Sequence, residues 1–497
     1  MIPPVTMTSD EIRAVYSAGS DAVVALVERL LGLLTDQQVQ IGALSARVAV
    51  LEARLAQDSH NSGQPPSSDG LRKPPKPQSL REHSGRPPGG QPGHPGETLR
   101  MTEVPDRVEV RSPSACTACG ISLREIEGIL AGRRQVFDLP SLRLEVIEHR
   151  IEEKRCPACG ERSVGAFPCG VDQPVQYGPG VKALGVYLQV YHLLPFERTS
   201  ELLADLFGTS PSPGTLHAAL HAGAAALEVT EEQIAEALRH AEQAHFDETG
   251  VRVDGKLQWL HTVSTETLTH YAVHPKRGRD AMQAIGILPA FTGRAIHDGL
   301  ASYFSFNYEH VLCNAHHLRE LTFVAEQHGQ AWAAAMKALL KEAYRRVERE
   351  KTQGADRLSG YAVLEIEARY AALLAAGRRE VEGLASPRRG RRGPRKQHPA
   401  MNLLERLRRY RAETLRFVRD FRVPFDNNRA ERDLRMVKVQ QKVSGSFRTT
   451  AGAEAFCRLR GYVSTIRKQE VRVLENLRDV FQGHPFVPSL HTPPTPA

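Results

Sequence analysis

The residues whose spacing most directly implies chemistry are four cysteines in two pairs, Cys116-Thr117-Ala118-Cys119-Gly120 and Cys156-Pro157-Ala158-Cys159-Gly160. Two thiolates separated by two residues span one edge of a tetrahedral metal, and the glycine that follows lets the chain turn with its N–H groups toward sulfur. We read Cys116, Cys119, Cys156 and Cys159 as one structural zinc site, with paired redox or free thiols as the alternative. The intervening 36 residues exceed the usual ribbon spacing. They contain the strand-like RRQVFDLP and LRLEVIEHRIEEKR, which predict a hairpin bringing the two knuckles together. Cys169 reads as an ordinary buried thiol.

Carboxylates supply the second set of candidates. Asp247 lies in HFDETGVRV, an otherwise apolar or β-branched run where a charge is costly unless ionic partners neutralise it. Asp298 closes the strand-like GRAIHD directly before Gly299, a position where a strand gives way to a loop, as α/β enzymes favour for their chemistry. Glu431 follows Asp426, Asn427 and Asn428, read as N-cap residues of a helix reaching about Gln441. Counted by turns, it shares a face with Asn427, Arg435 and Lys438, while Ala430, Leu434 and Val437 form the apolar side. Pairing with the helix dipole is an equally natural role for a Glu in a first turn. His245, His297 and His316 flank the acids and read as packing or hydrogen-bonding residues rather than proton shuttles.

The elements that must position these groups follow from pattern. HFDETGVRV, the turn Asp254-Gly255, KLQWLHTVSTET and LTHYAVHP predict three successive short strands with a hairpin between the first two, and HVLCNAH predicts a further strand running into helix. Val27, Leu34, Ile41, Val48 and Leu55 recur every seven residues with Leu30, Leu44 and Leu51 at the matching d positions, which predicts a self-associating coiled coil over 1–58. Gln37 interrupts the d row once. Residues 59–100 are a Pro/Gly-rich linker, 101–172 the zinc-binding module, and 173–240 a helical region with a helix-turn-helix-like corner at 198–224, Ser212 and Pro213 opening its second helix. A catalytic core over 241–317 is interrupted by a helical insertion, 318–422, and resumes over 423–482 before a tail at 483–497.

Composition narrows the function. The 497-residue chain carries 65 Lys+Arg against 57 Asp+Glu, yet Val381–Phe425 alone has an excess of +9, so one segment supplies the basic character. Arg388, Arg389, Arg391, Arg392, Arg395 and Lys396 occupy a Pro/Gly-broken stretch too charged to pack, and the basic helix-like segment after it extends the run. A solvated linker is the plain reading; a phosphate-binding surface, gaining affinity by counterion release, is the functional one. Arg435, Lys438, Lys442 and Arg448 are candidates to hold nucleic-acid backbone near Glu431. No apolar run approaches the roughly 18 residues of a membrane span, no signal peptide opens the chain, and seven cysteines are too few for a disulfide scaffold. The expectation is a cytoplasmic protein.

The order coiled coil, SSD-containing Pro-rich linker, GGQPGHPGETL, two Cys-x-x-Cys pairs, HFDETG, a strand ending in HDG, CNAH and DNNRAERDLR resembles the transposases of the insertion sequence 66 family along nearly the whole chain. It departs at Asn314, where many relatives have Trp. The resemblance implies a DDE recombinase with an α/β ribonuclease-H-like core interrupted by a helical insertion, with Asp247, Asp298 and Glu431 as first, second and third acids. It further implies two Mg²⁺ or Mn²⁺ ions on these acids, double-stranded DNA as partner, a homo-oligomer and small accessory proteins encoded by the same element. The chemistry is consistent, since two hard cations roughly 3.5 to 4 Å apart stabilise both the attacking and departing oxygens of a phosphodiester. A repressor or architectural DNA-binding protein that kept the fold without cutting is the alternative.

Overall fold

The computed structural model describes residues 7–57, 61–62, 98–382 and 397–490. The linker motifs and the basic residues Arg388, Arg389, Arg391, Arg392, Arg395 and Lys396 lie outside them. The chain divides into two compact units, one built on Glu231–Lys438 with the N-terminal helices, the other on Ser79–Thr230 and Val439–Pro488.

Helix α1 (Ser9–Ser17) opens on a capping box between Thr8 and Glu11, and α2 (Ser20–Leu55) runs 36 residues. The heptad residues of α2 from Val27 to Leu55 are 39–86% exposed, so its apolar seam meets no other described residue closely enough to be covered.

In the second unit, each Cys-x-x-Cys pair forms the same tight turn. The Gly120 N–H donates to Cys116 O (2.9 Å) and the Gly160 N–H to Cys156 O (2.8 Å), with both glycines at positive φ. Strands β1 (Glu153–Arg155) and β2 (Arg162–Val164) pair antiparallel around the second turn. The expected long hairpin between the pairs does not form. Val136, Leu139 and Val146 face solvent there, so strand pairing would gain no buried apolar area to offset its ordering cost. Cys169, expected to be buried, is exposed.

Helices α3 (Pro179–Val190), α4 (Phe196–Phe207) and α5 (Pro213–Ala226) follow. The anticipated corner is present: α4 ends on left-handed Gly208, and Ser212 caps α5 by accepting the Thr215 N–H at 3.1 Å. Helix α5 contains no Lys, Arg, Asn or Gln, the residues that hold phosphate or read base edges best.

Helix α6 (Glu228–Arg239) leads into the sheet of the first unit: β3 (Gln243–Val253), β4 (Lys256–Ser264), β5 (Thr269–His274), then α7 (Arg279–Ile285), β6 (Arg294–His297) and β7 (Glu309–Leu312). The order is β5-β4-β3-β6-β7, with β3, β4 and β5 antiparallel and β3, β6 and β7 parallel. Asp254 and Gly255 both take positive φ in the β3–β4 turn, the primed geometry that matches strand twist. Ala244, Phe246 and Val263 pack with Leu238, Met282, Ile287, Phe291 and Tyr303 into one core. Full burial of a side chain such as Phe246 stabilises by about 1.5–3 kcal/mol.

Gly293 enters β6 so close to the connection between α6 and β3 that a Cβ there would lie 2.2 Å from Ala241 O and 2.6 Å from Glu242 O. Backbone cannot yield as a flexible side chain can. Gly293→Ala is therefore expected to cost at least about 1–3 kcal/mol in chemical denaturation.

After β7 come α8 (Asn314–His328), α9 (Ala331–Thr352), α10 (Gly360–Val381), α11 (Pro399–Arg409), and the short α12 (Arg411–Thr414) and α13 (Arg416–Arg419). This region is helical, as expected, with its own core of Trp332, Met336, Leu340, Tyr370 and Leu404. Its basic residues are largely occupied by its own acids: Arg411 meets Glu367 at 3.2 Å, Arg406 pairs with Glu320, Arg416 with Glu309, and Arg419 with Glu367. The phosphate-binding surface read onto this basic stretch is thus largely neutralised internally over 399–422. Helices α14 (Asn428–Ser444), α15 (Thr450–Lys468) and α16 (Val473–Phe481) complete the chain.

Candidate active site

The register of the sheet brings the first two acids level. His245 on β3 pairs with Ile296 on β6, so two residues further along these parallel strands Asp247 stands beside Asp298. His297 of β6 pairs in turn with Leu312 of β7, which puts Cys313 next to Asp298 in the same row of strand ends. Alternation divides β3 by face: Phe246 and Glu248 turn toward the Tyr303 core, while His245 and Asp247 turn toward α14.

Helix α14 is held against that face by Asn427, which is fully buried. Its Nδ2 donates to Phe246 O (2.8 Å), its Oδ1 lies 2.8 Å from His245 Nδ1, and its backbone N–H points at Cys313 Sγ (3.1 Å). The cap expected of all three residues 426–428 is made by Asp426, which accepts the Asn428 N–H at 3.0 Å; Asn427 instead joins helix to strand. The same side of α14 is secured by Ser264, whose Oγ donates to Asp433 Oδ2 at 2.6 Å, and by buried Ala430, Leu434 and Val437, the anticipated apolar stripe. Glu431 follows one turn after Asn427, and its N–H donates to Asn427 O (3.2 Å).

Asp298 and Glu431 lie near enough for their charges to act on Asp247, though the three carboxylates do not gather within 4.8 Å of one another. Burial is the largest influence raising the Asp247 carboxyl well above its ordinary value, followed by the charges of Glu248, Asp298 and Glu431. Glu431 Oε1 lies 3.6 Å from His316 Nδ1 and 3.5 Å from Arg319 Nη2, yet it is buried without a hydrogen-bond partner. Burial, then Arg319, holds the His316 imidazole below its ordinary value. Burial likewise pushes the Cys313 thiol up to about 12.

Several members of this site escaped the motif reading. Glu248 is a second acid directly after the first, buried on the opposite face, where it accepts from Arg277 Nε (2.8 Å) and Tyr303 OH (2.6 Å). Burial and then Asp298 raise its carboxyl. Arg277 stacks over Trp259 at 4.8 Å and reaches within 3.9 Å of Asp298, so one guanidinium ties both carboxylates. Glu248 beside Asp247 was visible in the sequence; its partners Arg277 and Tyr303 were not. His245 and His297 take packing roles, as anticipated: His297 is fully buried, stacked on Tyr303, and its Nε2 lies 3.0 Å from His310 Nδ1. The Asn314 Nδ2 donates to Thr414 O at 3.0 Å.

Of the basic candidates, Arg435, Lys442 and Arg448 are exposed, whereas Lys438 is half-buried and donates to Gly250 O at 2.7 Å. Its ammonium secures α14 to the β3 backbone. At the cysteine pairs, backbone N–H groups of Cys119 and Ala118 lower the Cys116 thiol, and those of Cys159 and Ala158 lower that of Cys156, a donor arrangement suited to thiolate and a soft cation.

A module with paired cysteines, a helical region and a sheet-and-helix domain carrying buried acids define a multidomain protein. Residues 174–455 match the Transposase IS66 family, and residues 113–160 match the zinc-finger binding domain of transposase IS66. Residues 13–100 match a family of unknown function, and no curated protein matches the chain. The first match covers more than half of the chain, which therefore belongs to the IS66 transposase family. Among the described residues no helix is long and apolar enough to cross a membrane.

Proposed function

We propose that this protein is an active DDE transposase that cleaves DNA at the ends of its element and transfers the freed strand to target DNA. The observation that supports this reading is that the charges of Asp298 and Glu431, from two other segments, act on buried Asp247, within a chain of a transposase family. The mixed sheet, three antiparallel strands continued by two parallel ones, supports a ribonuclease-H-like core.

The donor set fits a hard divalent cation. Asp247 is raised by burial and then by its acidic neighbours, and Glu431 has a buried oxygen lacking a hydrogen bond, features that Mg²⁺ or Mn²⁺ would relieve. Asp247, Asp298 and Glu431 would hold the ions. Bound there, the metal supplies charge stabilisation to the attacking and leaving oxygens. The chain's own work is positional. Asn427 orients the third acid, Arg277 holds Asp298 and Glu248, and Arg319 neutralises Glu431. Exposed Arg435, Lys442 and Arg448, with the run Arg388–Lys396, hold phosphate without reading sequence.

Purified protein with end-containing duplex and Mg²⁺ tests the reading. Cutting followed by joining supports it; binding without cutting supports a repressor, and cutting without joining a nuclease.

The exposed heptad seam of α2 supports self-association through a parallel two-stranded coil. β-Branched Val27, Ile41 and Val48 at a with Leu at d favour two strands, and in register Arg47 at g faces Glu52 at e of the second copy. Leu44→Arg is expected to convert the dimer to monomer in sedimentation. Arg47→Glu weakens association by about 0.5–2 kcal/mol over its two symmetric pairs, and adding Glu52→Arg restores it.

A further inference from the structure

We propose that Cys313, His316 and Glu431 form a second metal site, selective for a thiophilic divalent cation such as Zn²⁺, whose occupation withdraws the third acid from the Mg²⁺ chemistry. The inhibitory part rests on the function proposed above; the binding part stands on its own geometry.

Sulfur, imidazole nitrogen and carboxylate oxygen of these residues lie within 4.8 Å of one another. A tetrahedral zinc ion requires ligand separations of about 3.3–3.6 Å. The His316 Nδ1 to Glu431 Oε1 distance is already 3.6 Å, so the cluster needs a contraction of about 1 Å at the sulfur. Both of those atoms are buried without a hydrogen-bond partner. Arg319 Nη2 pairs with Glu431 Oε1 electrostatically at 3.5 Å but makes no hydrogen bond to it.

Burial disfavours a Cys313 thiolate, and two features of its surroundings would support one once a cation is bound. Cys313 is the N-cap of the 15-residue helix α8, where aligned peptide dipoles favour negative charge, and the Asn427 N–H points at Sγ from 3.1 Å. Metal binding displaces the thiol proton to solvent, and the sulfur keeps that N–H donor. The ligand types decide which ion is held. Mg²⁺ prefers oxygen and water, whereas one sulfur, one imidazole and one carboxylate match zinc or cobalt, with a fourth position left to water. Both sites share Glu431, so the two classes of cation compete through that carboxylate.

The full-length protein, stripped of metal, is titrated with Co²⁺, whose tetrahedral thiolate complexes absorb in the visible. The expected result is two cobalt ions per wild-type chain, one at the paired cysteines and one here. Cys313→Ser and His316→Gln, chosen because each leaves the other ligands intact, should each bind one. Identical stoichiometry and spectra for wild type and both variants would overturn the site. A companion assay measures Mg²⁺-dependent cleavage at buffered free Zn²⁺, each protein normalised to its own zinc-free rate. Wild type should lose at least tenfold at a zinc level that the variants tolerate; equal sensitivity would overturn the competition. If no protein cleaves at all, the transposase reading fails while the cobalt count still decides the site. A circular-dichroism melt of each variant identifies a folding failure, and the second variant then decides.

Discussion

Asp247→Asn is expected to abolish strand cleavage while raising the melting temperature of the metal-free protein. Asparagine keeps the shape of the side chain but cannot ionise, so it loses the charge that would hold a cation. A loss of about 10³-fold or more is expected, comparable to removing a principal electrostatic stabiliser from an active site. The stability gain has the opposite origin. Burial and three neighbouring acids raise the Asp247 carboxyl, so over the interval between the ordinary carboxylate value and its raised one the native state holds a proton that the unfolded chain has released. Stability contributed by this group is therefore present at low pH and falls as pH rises through the interval; above it, the folded protein carries a charge it disfavours. The variant does not. Thermal melts of both proteins across pH, without divalent cations, should agree at acidic pH and diverge in favour of the variant toward neutrality. Adding Mg²⁺ should raise the wild-type transition more than the variant's. Unchanged cleavage would remove Asp247 from the chemistry, and superimposable melts would show that its charge is not disfavoured.

The second large effect is expected at a residue that touches no reacting atom. Asn427→Ala leaves Phe246 O and His245 Nδ1 without their buried partner, and two such losses cost about 2–4 kcal/mol. Denaturant unfolding measures that directly. The same change loosens the start of α14, one turn before Glu431, so cleavage should fall about 10–100-fold below the unfolding range, as for removal of a supporting hydrogen bond around a metal ligand. DNA affinity, measured by salt-dependent binding, should barely move. Asn427→Asp preserves the acceptor for His245 but cannot donate to Phe246 O, and it is expected to be intermediate in stability. If alanine leaves cleavage and unfolding unaltered, the helix is positioned by other contacts.

Local pattern announced much of this molecule. Alternation and the Asp254-Gly255 turn located the strands, because a half-buried sheet imposes period two and a primed turn needs positive φ. The paired cysteines declared their knuckles, and Asp247 was recognisable as a charge placed where burial makes charge costly. Where pattern misled, tertiary context was the reason. The strand-like stretch between the cysteine pairs found nothing to pack on, and the basic helix after residue 398 proved to be neutralised by acids far along the chain, such as Glu320 and Glu367.

What no stretch of residues contained was the meeting itself. Asp247, Asp298 and Glu431 are distant in the chain, and they come under one another's electrostatic influence because the parallel pairing of β3 with β6 sets two of them level while Asn427 docks the helix carrying the third. Strand order and helix docking depend on long-range hydrogen bonds between groups whose partners any local window omits. The kinds of chemistry available are thus written in residue type and spacing. Their assembly into one site, and the Cys313 and His316 ligands gathered around Glu431, belong to the folded chain alone.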